Sequence, residues 1–449
     1  MSKTLLLSLL ACAFVTSCIS GGGSGASTAT NANSATATAT AATTATATAA
    51  TTATAATTAT ATAATTAATT ATATAATTAA TTATATATTT TQSLTSRGAQ
   101  GEGVSTSTDS VKYAKGYSIK RVGNIKLLEI SDPTGGSKAL YRYALTPRGE
   151  QLGEIPKCYT RIETPVRRLI CMTTLQLSSL IKLGETDRIV GVTSTRFLQH
   201  KSLSERMRSG ELSRIGIEGE FDTEVVLSIA PDLIFVSPFK RGGYDAVENL
   251  GIPMLAYLGY KESSPLGQAE WIKLVGLLID KESEAEECFD KIERRYIELK
   301  TLVANVEHRP KVLSGEMHSG NWYVVGGESY LAQLFRDAGG DYFMQGDSES
   351  GGFYVDYETV YSQGHNADFW RIVNSFNGDY SYRELLAADG RYSDFRAFQK
   401  RQVLYCNLRE VPFYENTPME PEVVLADLIK AFHPQLLNDY KPVYYKLLK

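Results

Sequence analysis

A helix–strand pattern that occurs twice places the strongest constraint on the fold of this chain. The first copy reads DTEVVLSIAPDLIFV from Asp222 to Val236, and the second reads DYETVYSQGHNADFWRIV from Asp356 to Val373. In each copy an Asp is followed by a Glu two residues later and by a Val four residues later. The starts lie 356 − 222 = 134 residues apart, which suits two small domains of similar plan and is too long for a solenoid repeat.

Each copy predicts a short helix followed by a buried parallel strand. An Asp at the helix start accepts from the free N–H groups of the first turn, and the Glu favours the positive end of the helix dipole. Pro231 ends the first helix, and Gly364 ends the second. The apolar runs Leu233–Val236 and Phe369–Val373 predict strands covered on both faces. Such α/β units occur in many folds, so the likeness also fits coincidence.

The N-terminus carries signals for secretion and lipid attachment. Residues 1–18 contain Lys3, an apolar stretch from Leu5 to Val15 and then small residues, which predicts a signal peptide. The apolar stretch is too short to span a membrane. Val15–Cys18 reads VTSC and resembles the bacterial lipobox, so Cys18 is the predicted lipidation site. An ordinary secretory signal with a chance Cys is the alternative.

A tract rich in Ala and Thr follows this signal. Between Ala26 and Thr91 the chain has no aromatic residue and almost no charge, so residues 19–110 are predicted to be a disordered tether. A flexible coil of about 65 residues has a mean reach of roughly 40–50 Å. Such a tether lets the folded part stand away from the membrane; a low-complexity expansion without a function is the alternative.

The remaining residues are sufficient for two lobes of ordinary size. A net charge of −4 and a pI of about 5.9 argue against a nucleic-acid partner. A β-rich segment and alternating helices and strands predict a first lobe at 111–265, connecting helices at 266–307 and a second lobe at 308–449. The helix Glu282–Val303 has apolar residues at three- and four-residue steps and spans roughly 30 Å. It is a candidate rigid connector, with an ordinary surface helix as the alternative.

The order of these segments resembles the periplasmic substrate-binding proteins of ABC importers for ferric siderophores, haem and cobalamin. The resemblance is carried by the two repeated units and the long helix, together with Arg168–Val192, Leu250–Leu255, Gly326–Phe343 and Glu420–Leu437. It implies an α/β fold of two Rossmann-like lobes joined by a long rigid α-helix, here with an extra β-rich N-terminal segment. It also implies a monomer in the periplasm that is lipid-anchored to a bacterial membrane.

The same resemblance implies the ligand and the partners. The ligand would be a metal chelate, with a ferric siderophore as the first choice and cobalamin or haem as the second, and the protein would have no cofactor of its own. The partners would be an ABC permease with its ATPase and, upstream, a TonB-dependent outer-membrane receptor. A surface-displayed adhesin that uses the tract as a stalk is the alternative from another class.

Loops at the carboxyl ends of strands line the ligand cleft in this family, as expected for open α/β sheets. By position, the candidate ligand-binding residues are Thr174, Arg196, Phe197, Lys240, Arg241, His318, Trp322, Tyr323, Tyr354, Phe376 and Arg409. The aromatic residues are suited to stacking on a bulky ligand and the cations to pairing with its acidic groups. Core packing and solvated loop charges are the alternatives. His318, beside Glu316, is either an axial ligand to haem iron or an ordinary loop His.

The family docks on its permease through one carboxylate in each lobe. Asp245 or Glu248 is the candidate in the first lobe, and Glu384 is the candidate in the second. The chain has no GxSxG, HExxH, Walker or dinucleotide-binding motif, so the sequence predicts a protein that is not an enzyme. Its five His residues are scattered, and no dedicated metal site is predicted.

Overall fold

The computed structural model describes residues 106–150, 155–193, 198–217, 219–238 and 243–449. The predicted lipidation site Cys18 and residues 19–105 of the predicted tether lie outside these ranges. The candidate ligand residues Arg196, Phe197, Lys240 and Arg241 also lie outside them. Within the described ranges, no helix is both long and apolar enough to cross a membrane.

The first part of the described chain is a five-stranded sheet. Its strands, in spatial order, are β1 (Thr106–Thr108), β2 (Tyr117–Val122), β3 (Ile125–Ser131), β4 (Leu140–Pro147) and β5 (Thr160–Thr164). Neighbouring strands pair antiparallel, except that β4 and β5 are parallel. Residues 106–110 were predicted to lie in the tether, and this is wrong, because β1 pairs with β2 and Asp109 forms an ion pair with Arg121.

The first lobe is built on a parallel sheet with the spatial order β12-β11-β6-β7-β8. Its strands are β6 (Leu169–Cys171), β7 (Ile189–Val192), β8 (Ser213–Arg214), β11 (Leu233–Val236) and β12 (Met254–Ala256), and β9 (Gly216–Ile217) with β10 (Glu220–Phe221) forms a small hairpin. Its helices are α1 (Ser178–Lys182), α2 (Lys201–Ser209), α3 (Thr223–Ser228) and α4 (Asp245–Glu248). The first repeated unit is α3–β11, in which Asp222 accepts from the backbone N–H of Val225, as predicted.

Two helices, α5 (Pro265–Ile279) and α6 (Glu282–Leu302), connect the lobes. Helix α5 is buried on nearly every side because its residues enter the cores of both lobes, with Trp271 in the first and Ile272 in the second. Helix α6 presents one apolar face to the core of the second lobe. A Cβ at Gly276 of α5 would lie 2.5 Å from the Cβ of Ala285, so only glycine allows this close contact between the helices.

The second lobe also has a five-stranded sheet, with the order β16-β13-β18-β19-β20, in which only β20 is antiparallel. Its strands are β13 (Lys311–Ser314), β16 (Asp341–Tyr342), β18 (Phe369–Asn374), β19 (Val403–Asn407) and β20 (Lys446–Leu447). A separate antiparallel sheet contains β14 (Met317–His318), β15 (Asn321–Val325) and β17 (Gly352–Val355). The helices are α7 (Tyr330–Asp337), α8 (Tyr357–Gly364), α9 (Tyr382–Ala388), α10 (Arg396–Gln399), α11 (Phe413–Asn416) and α12 (Pro421–Phe432).

The second repeated unit is α8–β18. Asp356 accepts from the backbone N–H of Thr359, so it caps its helix as Asp222 caps α3. Strands β11 and β18 both lie inside their sheets, hydrogen-bonded on each side. The predicted architecture of two α/β lobes joined through a long helix, preceded by an extra β-rich segment, is therefore confirmed.

Candidate functional site

A cavity of about 320 Å³ lies between the two lobes. Leu175, Tyr260 and Gln268 form its wall on the side of the first lobe and helix α5. The rest of the wall comes from the second lobe, from the ends of β13 and β18, from α7 and from the segment that follows β19. Because ligands bind beyond the carboxyl ends of parallel strands, this position is the one expected for the site.

Arg371 of β18 places a positive charge on the wall of this cavity. Strand alternation turns Trp370 and Ile372 into the core and leaves Arg371 and Val373 on the cavity side. The Nε and Nη2 atoms of Arg371 donate to Tyr445 Oη at 2.9 and 2.8 Å. Within the described residues, no ion pair joins this guanidinium to a carboxylate. Burial lowers the pKa of Arg371, but the phenol groups of the surrounding tyrosines outweigh this effect and leave the pKa raised.

Glu316 enters the cavity from the end of β13, where the chain makes a constrained turn. Gly315 has a φ of +100°, and a Cβ there would lie 2.0 Å from the carbonyl oxygen of Tyr323. The indole of Trp370 donates to the Gly315 carbonyl at 2.8 Å, and the indole of Trp322 donates to the preceding carbonyl at 3.1 Å. These contacts hold the backbone so that the carboxyl group of Glu316 faces the cavity.

The carboxyl group of Glu316 has an unusual environment. Burial raises its pKa to about 7, although a hydrogen bond from Asn374 and the charge of Arg371 oppose the rise. Asn374 Nδ2 donates to Glu316 Oε2 at 3.4 Å, and Tyr405 Oη donates to Asn374 Oδ1 at 2.8 Å. At neutral pH this carboxyl group therefore exists in both its protonated and its ionised form.

Tyrosine hydroxyls supply the other polar groups of the cavity. The hydroxyl of Tyr330 is buried and has no hydrogen-bond partner among the described residues. Burial raises the pKa of Tyr330 and of Tyr445 far above the usual range, and it raises the pKa of Tyr323 to about 12. These phenols stay neutral at physiological pH and keep a hydroxyl hydrogen that is able to donate a hydrogen bond.

Contacts between the lobes close one side of the cleft. Glu415 of α11 is 0% exposed, and its carboxylate accepts from the backbone N–H groups of Gln199 and His200 in the first lobe. An ion pair between Lys182 and Glu420 lies beside this contact, with 3.3 Å between Nζ and Oε1. The segment that bounds the cavity on the second-lobe side is thus attached directly to the first lobe.

The structure distributes the predicted ligand residues unevenly. Tyr323 lies on the wall of the cavity, and its ring meets that of Tyr354 at 5.5 Å. The ring of His318 stacks near Tyr354 at 6.3 Å on the small three-stranded sheet. Thr174 begins a short 3₁₀ turn beside the wall residue Leu175.

Two further predicted residues lie at the ends of strands in the second lobe. Phe376 follows β18, and its ring packs against Tyr380 at 5.0 Å. Arg409 follows β19 and is exposed. Neither residue is on the cavity wall.

The prediction that Trp322 contacts the ligand is wrong. Its side chain is 0% exposed, and its ring lies 5.6 Å from Trp370 and 5.4 Å from Phe395 in the core. Adjacent residues of a strand point to opposite faces, so Trp322 and Tyr323 are not both able to reach the cavity.

Sequence reasoning missed Arg371, Tyr330 and Tyr445 on the cavity wall. Arg371 was interpreted only as part of a buried strand. An arginine within an apolar strand, near its carboxyl end, is nevertheless a usable signal, since a charge is seldom buried without a role. Tyr445 lies near the chain end and has no comparable signal.

The predicted docking carboxylates lie at corresponding places in the two lobes. Asp245 and Glu248 are exposed at the two ends of α4, which follows β11. Glu384 lies in the first turn of α9, which follows β18, and accepts from Ser381 and Arg383. Among the described residues, no group of three or more His, Cys, Asp and Glu side chains is arranged to hold a metal ion.

The comparisons with known proteins agree with this geometry. A model of the periplasmic binding protein family matches residues 169–409, which is 409 − 168 = 241 of the 449 residues. The chain therefore belongs to the periplasmic binding protein family. It is a two-lobe solute-binding protein of the class that serves ABC importers.

Relatives and solved structures place the chain among distant members. An uncharacterised lipoprotein of Methanocaldococcus jannaschii is 23% identical over 369 residues, which are 74% of this chain and 84% of that protein. An uncharacterised protein of the same organism is 25% identical over 295 residues, which are 63% of this chain and 86% of that protein. The molybdate-bound periplasmic binding protein of a Haemophilus influenzae ABC transporter has a TM-score of 0.50 and 17% identity, and the match covers 62% of this chain and 90% of that one. This last likeness establishes the fold alone.

Proposed function

We propose that this protein is the substrate-binding lipoprotein of an ABC importer that captures an iron complex in the periplasm. It delivers the complex to an inner-membrane permease and its ATPase. A ferric siderophore is the first choice of ligand, and haem or cobalamin is the alternative. A TonB-dependent outer-membrane receptor supplies the complex, and acyl chains on Cys18 hold the protein at a membrane. The lipoprotein names of two archaeal relatives support the anchor.

The cavity between the lobes carries this proposal. A ligand inside it contacts both lobes at once, which is the arrangement that lets a binding protein present its loaded form to a permease. Binding pockets measure about 300–1,000 Å³, so a cavity of about 320 Å³ is at the lower end of this range. It therefore encloses one arm of a bulky chelate, while the rest of the chelate lies toward the mouth, near Tyr323 and Tyr354.

A thermal-shift screen tests the proposal with ferric siderophores, haemin and cobalamin. A ligand at 100 times its dissociation constant stabilises the folded protein by about 2.7 kcal/mol. Tyr323→Ala should reduce the shift, whereas Tyr361→Ala, an exposed tyrosine on α8, should leave it unchanged. The metal-free siderophores serve as the ligand control. If none of the chelates shifts the melting temperature, the proposed ligand class is wrong.

The docking role of the carboxylates is tested separately from binding. Reversing the charge in Glu384→Lys, or in Asp245→Lys with Glu248→Lys, should lower chelate uptake by cells while the Kd measured in solution stays unchanged. Asp290→Lys on the exposed face of α6 is the matched control. Equal uptake in all of these variants would remove the assigned role.

A further inference from the structure

We propose that the cavity is a subsite for an anionic group of the ligand, a carboxylate or an oxyanion, which enters as the counter-ion of Arg371. This inference deepens the proposed function. It rests on that function because it takes the anionic group to be part of the captured solute. It specifies a charge for the ligand that membership of the family does not provide.

Among the described residues, Arg371 forms no ion pair with a carboxylate. Its described hydrogen-bond partners are the neutral hydroxyl groups of Tyr445 and Ser314, with the Ser314 contact at 3.5 Å. Burying a cation without an anion at ion-pair distance costs several kcal/mol. Glu316, whose carboxyl group feels the charge of Arg371, does not supply this anion, because it is outside ion-pair distance and partly protonated near neutral pH. A bound anion removes this cost, and the guanidinium and a carboxylate match each other in geometry.

The hydroxyl groups around Arg371 have hydrogen atoms that no described acceptor takes. Tyr445 accepts two N–H groups from Arg371, and no described acceptor takes its own hydroxyl hydrogen. The buried hydroxyl of Tyr330, also on the cavity wall, has no partner among the described residues. A site in which donors outnumber acceptors in this way is complementary to an anion and not to a cation.

The carboxyl group of Glu316 shares the cavity wall with Arg371. An ionised Glu316 repels a bound anion, whereas a protonated Glu316 donates a hydrogen bond to it. The raised pKa means that protonation near neutral pH costs little free energy. Apolar side chains of Leu331, Leu334 and Val424 line the same cavity and suit the carbon atoms that carry the anionic group.

The anion has two possible sources, a pendant carboxylate on a chelate or a free inorganic oxyanion. A matched pair of probes separates charge from bulk: a ferric trihydroxamate chelate with one pendant carboxylate, and the methyl ester of the same chelate. Sodium molybdate alone is the third probe. Isothermal titration with the full folded chain measures each Kd.

We expect the acid to bind about 10- to 100-fold more tightly than its ester, the range for a charged hydrogen bond. Arg371→Met should abolish this preference, Arg371→Lys should retain part of it, and Arg294→Met, which changes an exposed arginine on α6, should retain all of it. Thermal melts show whether each variant is folded. The ligand-free Arg371→Met protein should melt no lower than the wild type, because it no longer buries an unpaired charge.

The outcomes distinguish this inference from the proposed function. Equal affinity for the acid and the ester, or a preference that persists in Arg371→Met, overturns the anion subsite even if chelates bind. Binding of molybdate that depends on Arg371, without binding of either chelate, supports the anion subsite and contradicts the chelate proposal. If none of the three probes binds, both are wrong.

Discussion

The two lobes share a helix–strand unit and a parallel sheet, yet they contribute very different chemistry to the cleft. In the first lobe, β11 reads LIFV and all four residues are buried. In the second lobe, β18 reads FWRIVN, and its alternate residues Arg371 and Val373 reach the cavity. The shared scaffold therefore positions the site, while single residues at matching positions give the two lobes different side chains at the cavity.

The acidic residues show a similar division between structure and site. On the connecting helix α5, Glu270 accepts from the backbone N–H groups of Lys112, Tyr113 and Ala114, and thereby fixes the segment between β1 and β2. In the second lobe, Glu316 faces the cavity instead. The comparison indicates that the acid of α5 serves stability, whereas Glu316 belongs to the site.

The largest expected effect is the loss of stability on removing the carboxylate of Glu270. The side chain of Glu270 is 0% exposed, and Glu270→Ala leaves three backbone N–H groups without their acceptor. The free energy of unfolding should therefore fall by about 3 kcal/mol. Urea unfolding measures this change. Glu287→Ala, an exposed acid on α6, should change it by less than about 0.5 kcal/mol. A small effect at Glu270 would remove the distinction between a structural acid on α5 and the acid in the site.

The next effect is a pH dependence that comes from Glu316. Its folded pKa of about 7 is above the unfolded value of 4.5, so its stabilising contribution is complete below pH 4.5 and is lost as the pH rises to 7. A shift of this size corresponds to about 3 kcal/mol, and Glu316→Gln should remove most of this change in the free energy of unfolding. Denaturation at a series of pH values measures it.

Glu422 is the control for the site. Burial raises its pKa to about 7 as well, but it lies off the cavity wall.

The groups that face Glu316 do not titrate near neutral pH. They are Asn374, Arg371 and the phenols of Tyr380, Tyr392 and Tyr405, and burial raises the pKa values of these phenols. Affinity for the acidic chelate should therefore weaken between pH 6 and 8 in the wild type and in Glu422→Gln, and stay level in Glu316→Gln. The same slope in all three proteins would contradict the assignment.

The smallest effect concerns the contact that joins the lobes. Glu415→Gln replaces a buried carboxylate that accepts from two N–H groups of the first lobe, so the free energy of unfolding should fall by about 1 kcal/mol. Ligand release should become faster, since this contact closes one side of the cleft. Stopped-flow measurement of koff tests this, with the exposed Glu358→Gln as the control. An unchanged koff would show that the contact has no part in retaining the ligand.

The sequence predicted the secondary-structure elements well and the contacts of individual side chains poorly. The Asp caps, both repeated units and the long helix followed from local patterns, and the structure contains them. Helix α5 was predicted among the connecting helices, but its burial in both cores was not, because this burial depends on contacts with residues far away in the sequence. Trp322 and Tyr323 are neighbours in sequence, and only their place in β15 separates a core residue from a cavity residue.

The sequence by itself determined the two α/β lobes, their order and the connecting helices. Helix caps, the spacing of apolar residues along helices and apolar strands all depend on residues that are close together in the chain. The identity of the charged group in the cleft was decided only by the tertiary structure. Arg371 donates to Tyr445, which is 74 residues away in the sequence, and no local sequence pattern predicts this contact. The same long-range packing excludes Trp322 from the cavity and brings Glu316 into it.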